Sequence, residues 1–131
     1  MMEQRIVAAG VIIRRDSALL IKRGKNEKAY PNEWELPSGK VEYKEHPDKA
    51  AVREVKEETG LDVKVIRPLT ISHFVYGKRH CVQINYLVKA KNYKVRLSEE
   101  HDDYKWVPKN KIKKFKTFKD IKEAVLEAFK H

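Results

Sequence analysis

Three glutamates lie close together in the segment REVKEETG, residues 53–60. Glu54, Glu57 and Glu58 are three and four residues apart, so on a helix their carboxylates lie along one stripe. Like charges at this spacing destabilise a helix by roughly 0.2–0.5 kcal/mol per pair. Hard divalent cations such as Mg²⁺ and Mn²⁺ take oxygen ligands and would offset that repulsion. The stripe therefore predicts a metal site, although these eight residues alone also fit a solvent-exposed helix face interleaved with Lys.

Further residues stand at fixed distances upstream of the stripe. Five residues separate Gly39 from Glu45, and seven more separate Glu45 from Arg53 and Glu54. The segment fits the pattern G-x5-E-x7-R-E-U-x-E-E-x-G-U, where U is apolar, at every specified position. A match of this length is far more specific than a lone Gly-rich loop. The other fixed positions of the pattern are two apolar residues, two acids and a glycine: Val55, Leu61, Glu57, Glu58 and Gly60.

The residue types of this pattern predict individual roles around a cation. Arg53 precedes Glu57 by one helical turn and can orient a carboxylate through a bidentate hydrogen bond. Gly39 lets the backbone approach closely, so its carbonyl can also reach the metal. We expect Glu45 to hold the preceding loop at the start of the helix, where a negative charge is favourable. Gly60 is suited to the position just after the helix end.

Apolar periodicity predicts the elements that must position these residues. Spacing by two and runs of β-branched residues indicate strands, and Pro47 suits the first turn of the acidic helix. The predicted strands are 6–13, 18–22, 34–36, 63–74, 81–88, 93–97 and 104–107, and the predicted helices are 47–59 and 118–129. This order predicts an α+β fold, a mixed sheet sandwiched between helices, and the length predicts a single domain over 1–131.

Composition limits the class of protein. No apolar run approaches the roughly 18 residues that a membrane helix needs, which predicts no membrane association. A single cysteine, Cys81, excludes an internal disulfide and fits a reducing cytoplasm, with burial on a strand as its expected role. The net charge is +10, and residues 109–119 contain six Lys and no acid. A basic surface suits anionic ligands, but a solvated Lys-rich face explains the charge equally well.

The pattern around the helix resembles the Nudix box, and the resemblance to Nudix hydrolases extends over nearly the whole chain. The lead-in WELPSGKVE is similar to the MutT-like branch, with Ser38 in place of the usual first glycine and Lys44 where many members have Gly. The resemblance implies an α/β/α sandwich with a mixed sheet. It also implies Mg²⁺- or Mn²⁺-dependent cleavage of a nucleoside diphosphate linked to another group, with water attacking a phosphorus of the bridge.

The resemblance also implies roles for individual residues. The catalytic set is Glu54, Glu57, Arg53 and Glu100, and the metal ligands are Gly39, Glu54, Glu57 and Glu58. The general base is left open between Glu54, Glu99 and Glu100. Arg23 is expected to contact substrate, with an ordinary surface Arg as the alternative. Trp34 and Leu36 are expected to line the base pocket, with core packing at a sheet end as the alternative for Trp34.

The substrate is the least determined property. A small MutT-like chain favours nucleoside triphosphates, oxidised dGTP (8-oxo-dGTP) included, cleaved to monophosphate and pyrophosphate. Tyr76 is a weak argument for diadenosine polyphosphates, and the lack of Pro between Pro68 and Pro108 is a weak argument against ADP-ribose. A protein of another class, binding RNA ends or other nucleic acid through residues 109–119, remains an alternative, but we expect weak, non-specific binding at most. A ligand sensor without activity is disfavoured by the intact acids, and the sequence leaves monomer and homodimer open.

Overall fold

A mixed seven-stranded sheet forms the centre of the computed structural model, which describes residues 2–130. The strands are β1 (Glu3–Arg14), β2 (Ser17–Arg23), β3 (Trp34–Glu35), β4 (Ser38–Lys40), β5 (Val63–Tyr76), β6 (Arg79–Ala90) and β7 (His101–Pro108). The helices are α1 (Pro47–Thr59), a 3₁₀ helix (Lys109–Lys114) and α2 (Lys119–Ala128). Five strands follow the order β3-β2-β1-β6-β5, while β4 pairs with β1 and β7 pairs with β2. The predicted α+β architecture is confirmed.

The central strand β1 separates two hydrophobic cores. It runs parallel to β6 and antiparallel to β2 and β4. Because side chains alternate along a strand, Ala8 and Ile12 pack on the side of α1, whereas Ala9 and Val11 pack on the side of α2. The helices therefore cover opposite faces of the sheet. The α2 face is shared by odd-numbered residues of β1 and β6 and by even-numbered residues of β4.

The acidic helix has the predicted boundaries. α1 begins at Pro47, whose missing N–H costs nothing in the first turn, and ends at Thr59. Gly60 follows in the left-handed region, with φ of 76°, and its N–H donates to the Lys56 carbonyl at 2.9 Å. This confirms the predicted position of Gly60, because a side chain is strained at that φ. Ala51 and Val55 are fully buried, so the carboxylates occupy the remaining side of the helix.

Two local predictions were wrong. Residues 93–97 are not a strand: Arg96 N–H donates to the Thr59 carbonyl at 2.8 Å, and Ser98 N–H donates to the Glu58 carbonyl at 3.1 Å. The segment is thus tied to the end of α1, while Val95 and Leu97 pack against the core. Conversely, 38–40 is absent from the predicted strands but forms a short strand that pairs with β1. In both places a partner distant in sequence decides the backbone conformation.

Within residues 2–130, no helix is long and apolar enough to cross a membrane. The expected place of the cysteine is confirmed, since Cys81 is buried on β6 with its thiol free. β1, β2, β5, β6 and β7 extend the predicted strands by up to three residues at an end, whereas β3 and α2 are one or two residues shorter than predicted. β5 ends at Tyr76 and β6 begins at Arg79, so their hairpin is longer than the periodicity indicated.

Close packing of α1 on β1 is tested by Gly10→Ala. An added Cβ would lie 2.7 Å from Cγ2 of Val55, a distance that requires the helix to shift. We expect the free energy of unfolding to fall by about 1–3 kcal/mol, as for other overpacked cores. Urea denaturation measures this loss. Val55→Ala removes the obstructing methyl, so the double variant should lose less stability than the two single losses combined; strict additivity would contradict this account.

Candidate active site

Arg53 on α1 connects the parts of the site. Its Nε and Nη2 donate to the two carboxylate oxygens of Glu45, each at 2.9 Å, and Nη2 also donates to the Lys40 carbonyl at 3.0 Å. Its Nη1 donates to Glu54 at 2.6 Å and, more weakly, to Glu57 at 3.4 Å. The bidentate partner is therefore Glu45, not the carboxylate one turn later. Arg53 fixes helix, loop and strand β4 with one planar group.

Glu45 closes the loop that leads into α1. Besides binding Arg53, its carboxylate accepts a hydrogen bond from the Glu42 backbone N–H at 3.0 Å. The hydrogen bonds from Arg53 and Glu42 lower the pKa of Glu45 to about 2. In the same loop Lys44 has a φ of 65°, in the left-handed region that favours glycine. The loop conformation thus explains why a glycine suits this position, and Glu45 holds it as expected.

Glu54 lies directly against the backbone of Gly39. A Cβ at residue 39 would overlap the Glu54 carboxyl group, so only glycine permits this approach. The side chain is 13% exposed, and burial raises the pKa of Glu54, opposed by its hydrogen bond to Arg53 and reinforced by the charges of Glu57 and Glu100. The predicted close approach at Gly39 is therefore made by a carboxylate of the stripe.

Glu58 is the most buried acid of the stripe. It is 7% exposed and accepts a hydrogen bond from the Ser38 backbone N–H at 2.8 Å. Burial raises its pKa well above the ordinary range, and the negative charges of Glu35, Glu54 and Glu100 act in the same direction. Several carboxylates therefore repel one another at the junction of α1 and β4, with too little positive charge among them.

The structure brings the predicted acids together unequally. Glu54 and Glu58 turn toward β4, and Glu100 is near enough for its charge to raise the pKa of both. Glu57 instead has a side chain that is 56% exposed. Among residues 2–130, no three His, Cys, Asp or Glu side chains stand close enough, as positioned, to hold a metal ion.

The residues nevertheless fit a divalent cation. The donor atoms are carboxylate oxygens, which Mg²⁺ and Mn²⁺ prefer. Gly39 leaves room that a side chain would fill, and the pKa values of Glu54 and Glu58 are raised partly by neighbouring negative charges. A cation would remove this repulsion and favour the ionised forms.

Glu35 is a site residue that the sequence analysis missed. Its carboxylate lies 2.8 Å from Nε2 of the buried His101 and 3.4 Å from Nη1 of Arg23, and its charge acts on Glu58. Ser98 holds the other nitrogen of His101 at 3.1 Å. His101 thus orients this carboxylate. The only signal in the sequence is an acid between two apolar residues of a short strand.

A cavity of about 450 Å³ adjoins these carboxylates. Glu35, Ser38 and Gly39 line it, so the backbone that contacts Glu54 and Glu58 also forms its wall. Aromatic residues of the 24–32 loop, of β5 and of the segment before α2 also line the cavity. These residues are Tyr30, Phe74, Tyr76 and Phe118.

Two of the three predicted substrate residues line this cavity. Arg23 and the fully buried Leu36 do so. Trp34 does not; its ring packs edge-on against Phe115 at a centroid distance of 5.4 Å, which is the packing alternative considered for it. Arg23 donates through Nε to the Ala29 carbonyl at 2.7 Å, so it also holds the neighbouring loop.

Comparison with known proteins agrees with this geometry. A family model described as "NUDIX domain" matches residues 4–129. The nucleoside triphosphatase NudI of Escherichia coli is 31% identical over 117 residues, covering 81% of this chain and 83% of that protein. The MutT protein from Methanosarcina mazei Go1 has a TM-score of 0.87 at 27% identity, covering 98% and 94%. A MutT NUDIX hydrolase from Burkholderia pseudomallei has a TM-score of 0.83 at 25% identity, covering 95% and 98%.

Repulsion at Glu58 predicts a pH-dependent stability. Its pKa is raised above the usual 4.5, so the folded state holds this proton more tightly than the unfolded state. The stabilising contribution is therefore present at low pH and is lost as the pH rises above about 4.5. We expect the melting temperature in EDTA to fall above this pH in the parent and to fall less in Glu58→Gln, which should be at least as stable at neutral pH.

Divalent cations should raise the melting temperature of the parent by mass action, and less so that of Glu58→Gln. Glu123→Gln on α2 is the matched control, because Glu123 is 56% exposed and distant from the stripe. This control should follow the parent at every pH and cation concentration. A Glu58→Gln protein that melts clearly below the parent in EDTA would show that the carboxylate has a structural role instead.

Proposed function

This chain belongs to the Nudix hydrolase family, and we propose that it hydrolyses nucleoside triphosphates to monophosphate and pyrophosphate, with Mg²⁺ or Mn²⁺ as cofactor. The observation that carries the proposal is the shared wall between cavity and carboxylates. Strand β4 contacts Glu54 and Glu58 through Gly39 and Ser38, and the same residues line the 450 Å³ cavity. A base and sugar in the cavity would leave the phosphates at the acids.

The size and walls of the cavity support a nucleotide ligand. Ligand sites commonly have volumes of about 300–1,000 Å³, with apolar walls and a few polar groups. Aromatic side chains line part of the cavity, and Lys40, the residue after Gly39, is a basic lining residue beside the proposed phosphate position. The name of the E. coli relative, nucleoside triphosphatase, agrees with this substrate class. A triphosphate is therefore favoured over ADP-ribose or a diadenosine polyphosphate; 8-oxo-dGTP remains within the class.

We assign the roles of the chain's own residues as follows. Gly39, Glu54, Glu57 and Glu58 would hold the cation, which when bound neutralises charge developing on the phosphates. Arg53 orients Glu54 through the 2.6 Å hydrogen bond. Glu100, whose charge already acts on both buried acids, is our choice for the general base. A cytoplasmic location, which the single free cysteine supports, is part of the proposal.

The proposal is tested with purified protein and a panel of nucleotides in Mg²⁺, with separate assays for pyrophosphate, phosphate and monophosphate. We expect triphosphates to yield monophosphate and pyrophosphate in equal amounts. EDTA should abolish turnover, and Mg²⁺ or Mn²⁺ should restore it. Full turnover in chelator would exclude a metal-dependent reaction, and exclusive cleavage of ADP-ribose or diadenosine polyphosphates would exclude the triphosphate substrate.

Glu57→Gln tests the metal site at its most exposed acid. The change removes one charge and keeps the shape, so a loss of several orders of magnitude in kcat is expected. Glu123→Gln on α2 is again the matched control and should keep full activity. A loss below about tenfold, roughly 1.4 kcal/mol, would mean that Glu57 does not contact the cation.

The Lys-rich segment allows a second candidate function, but its structure is that of a solvated surface. Ile112 is fully buried and Phe115 is partly buried, which leaves the neighbouring Lys side chains in water. Long-range attraction for any polyanion follows from that charge, but the segment has no Arg fork for a specific contact. We therefore expect only weak, salt-sensitive binding of nucleic acid.

Neutralising this segment should separate the two functions. The variant changes four exposed Lys to Gln: Lys111, Lys113, Lys114 and Lys116. Binding to RNA and DNA at low salt should weaken, because fewer phosphates are neutralised, while turnover of saturating triphosphate should stay within a few fold. Tight RNA binding near 150 mM salt, with a triphosphorylated or capped RNA cleaved faster than free nucleotides, would instead indicate an RNA-end hydrolase.

A further inference from the structure

A polar side chain, that of Gln83, lies on the sheet face that lines the cavity. Gln83 on β6 is paired with Val7 of the parallel strand β1 and with Ser72 of the antiparallel strand β5. Gln83, Val7 and Ser72 all line the cavity. Gln83 therefore lies on the sheet-side wall, opposite space that a base could fill, and outside the carboxylate cluster.

A buried amide, that of Asn85, engages one end of Gln83. Asn85 follows on the same face of β6 and is 1% exposed. Its Nδ2 donates to Oγ1 of Thr70 at 3.0 Å and to Oγ of Ser72 at 3.4 Å. Its Oδ1 accepts from Nε2 of Gln83 at 2.9 Å. In this network Asn85 accepts from Nε2 of Gln83 and donates to the two hydroxyls, so Oε1 is the end of the Gln83 amide that remains available.

The available groups form an ordered pair. Within the part of the chain that the structure describes, Oε1 of Gln83 accepts no hydrogen bond. The Ser72 oxygen accepts one from Asn85, while its hydroxyl hydrogen has no acceptor. The cavity wall thus presents one acceptor beside one donor. Adenine and cytosine carry the complementary pair, an exocyclic amine next to an unprotonated ring nitrogen.

Aromatic side chains next to this polar pair suit the same kind of ligand. Tyr30 contacts Phe74, Tyr76 and Phe118, with ring centroids 6.1, 5.7 and 5.7 Å apart. The hydroxyl of Tyr30 donates to the Val75 carbonyl at 3.1 Å, which fixes these aromatic rings against the end of β5. A cavity lined by aromatic side chains and a polar pair can accommodate a flat heterocycle and read one of its edges.

We propose that Gln83, oriented by Asn85, reads the hydrogen-bonding edge of the nucleobase and makes the enzyme favour amino bases over keto bases. This specificity rests on the proposed triphosphate hydrolysis. A keto base presents a carbonyl and a ring N–H, so the carbonyl would face the Gln83 oxygen, acceptor against acceptor. Binding it as well as an amino base would require both amides and both hydroxyls to reverse together.

The inference is tested with matched substrates. ATP and ITP share a purine and differ at the edge that Gln83 would read, and CTP and UTP are the corresponding pyrimidine pair. We expect kcat/KM to favour ATP over ITP, and CTP over UTP, by about tenfold or more, since sites built around a hydrogen bond discriminate strongly against its loss. Equal values, or a preference for the keto partner, would overturn the proposal.

Variants assign the preference to the side chain. Gln83→Leu removes the donor and the acceptor of the amide. The ratio of kcat/KM for ATP to that for ITP should therefore fall to near one, because kcat/KM for ATP falls. Gln4→Leu is the matched control, because Gln4 is exposed on β1, outside the cavity lining, and contacts His80. An unchanged ratio in Gln83→Leu would overturn the assignment.

A binding measurement separates this inference from the proposed function. Calorimetric dissociation constants for AMP and IMP need no turnover, and their ratio should show the same preference and the same loss in Gln83→Leu. If no triphosphate is hydrolysed but this binding ratio holds, the proposed reaction fails and the base reading stands. If triphosphates are hydrolysed without base preference, or neither monophosphate binds, the base reading fails.

Discussion

The guanidinium of Arg53 is the group on which the geometry of the site depends. It donates hydrogen bonds to both oxygens of Glu45, to the Lys40 carbonyl and to the Glu54 carboxylate. A planar fork can make such contacts simultaneously, whereas a lysine ammonium is a flexible point charge. Without it, the loop between β4 and α1 would lose its attachment to the helix, and Glu54 would lose the partner that favours its charged form.

The site combines this attachment with electrostatic repulsion. Glu58 is buried among other acids, and burial of an acid without a full counter-charge is unfavourable. The fold tolerates it because α1 is held by packing that the acids do not share: Ala51 and Val55 are fully buried, and Gly10 lets β1 approach the helix closely. Stability thus comes from one side of α1, which leaves the other side available for chemistry.

Strand β4 joins chemistry to recognition. Glu54 contacts Gly39 of this strand and Glu58 contacts Ser38. The same two strand residues line the cavity. Beyond it, the α2 face of the sheet changes from apolar core at Val11 to a polar wall at Gln83 and Asn85. Two tasks that need different environments, a charged junction and a hydrogen-bonding pocket, are therefore only a strand apart.

The sequence by itself determined the identities of the acids and the limits of α1, because these depend on signals within one short window: the spacing of three glutamates, Pro47 at the first turn and Gly60 after the last. Tertiary structure decided what depends on distant partners. Residues 38–40 form a strand because they pair with β1, and residues 93–97 are hydrogen-bonded to the end of α1. Glu35 is held near the acids by its contact with His101. Side-chain periodicity reports which face of an element is buried, but not which residue of another element will meet it there.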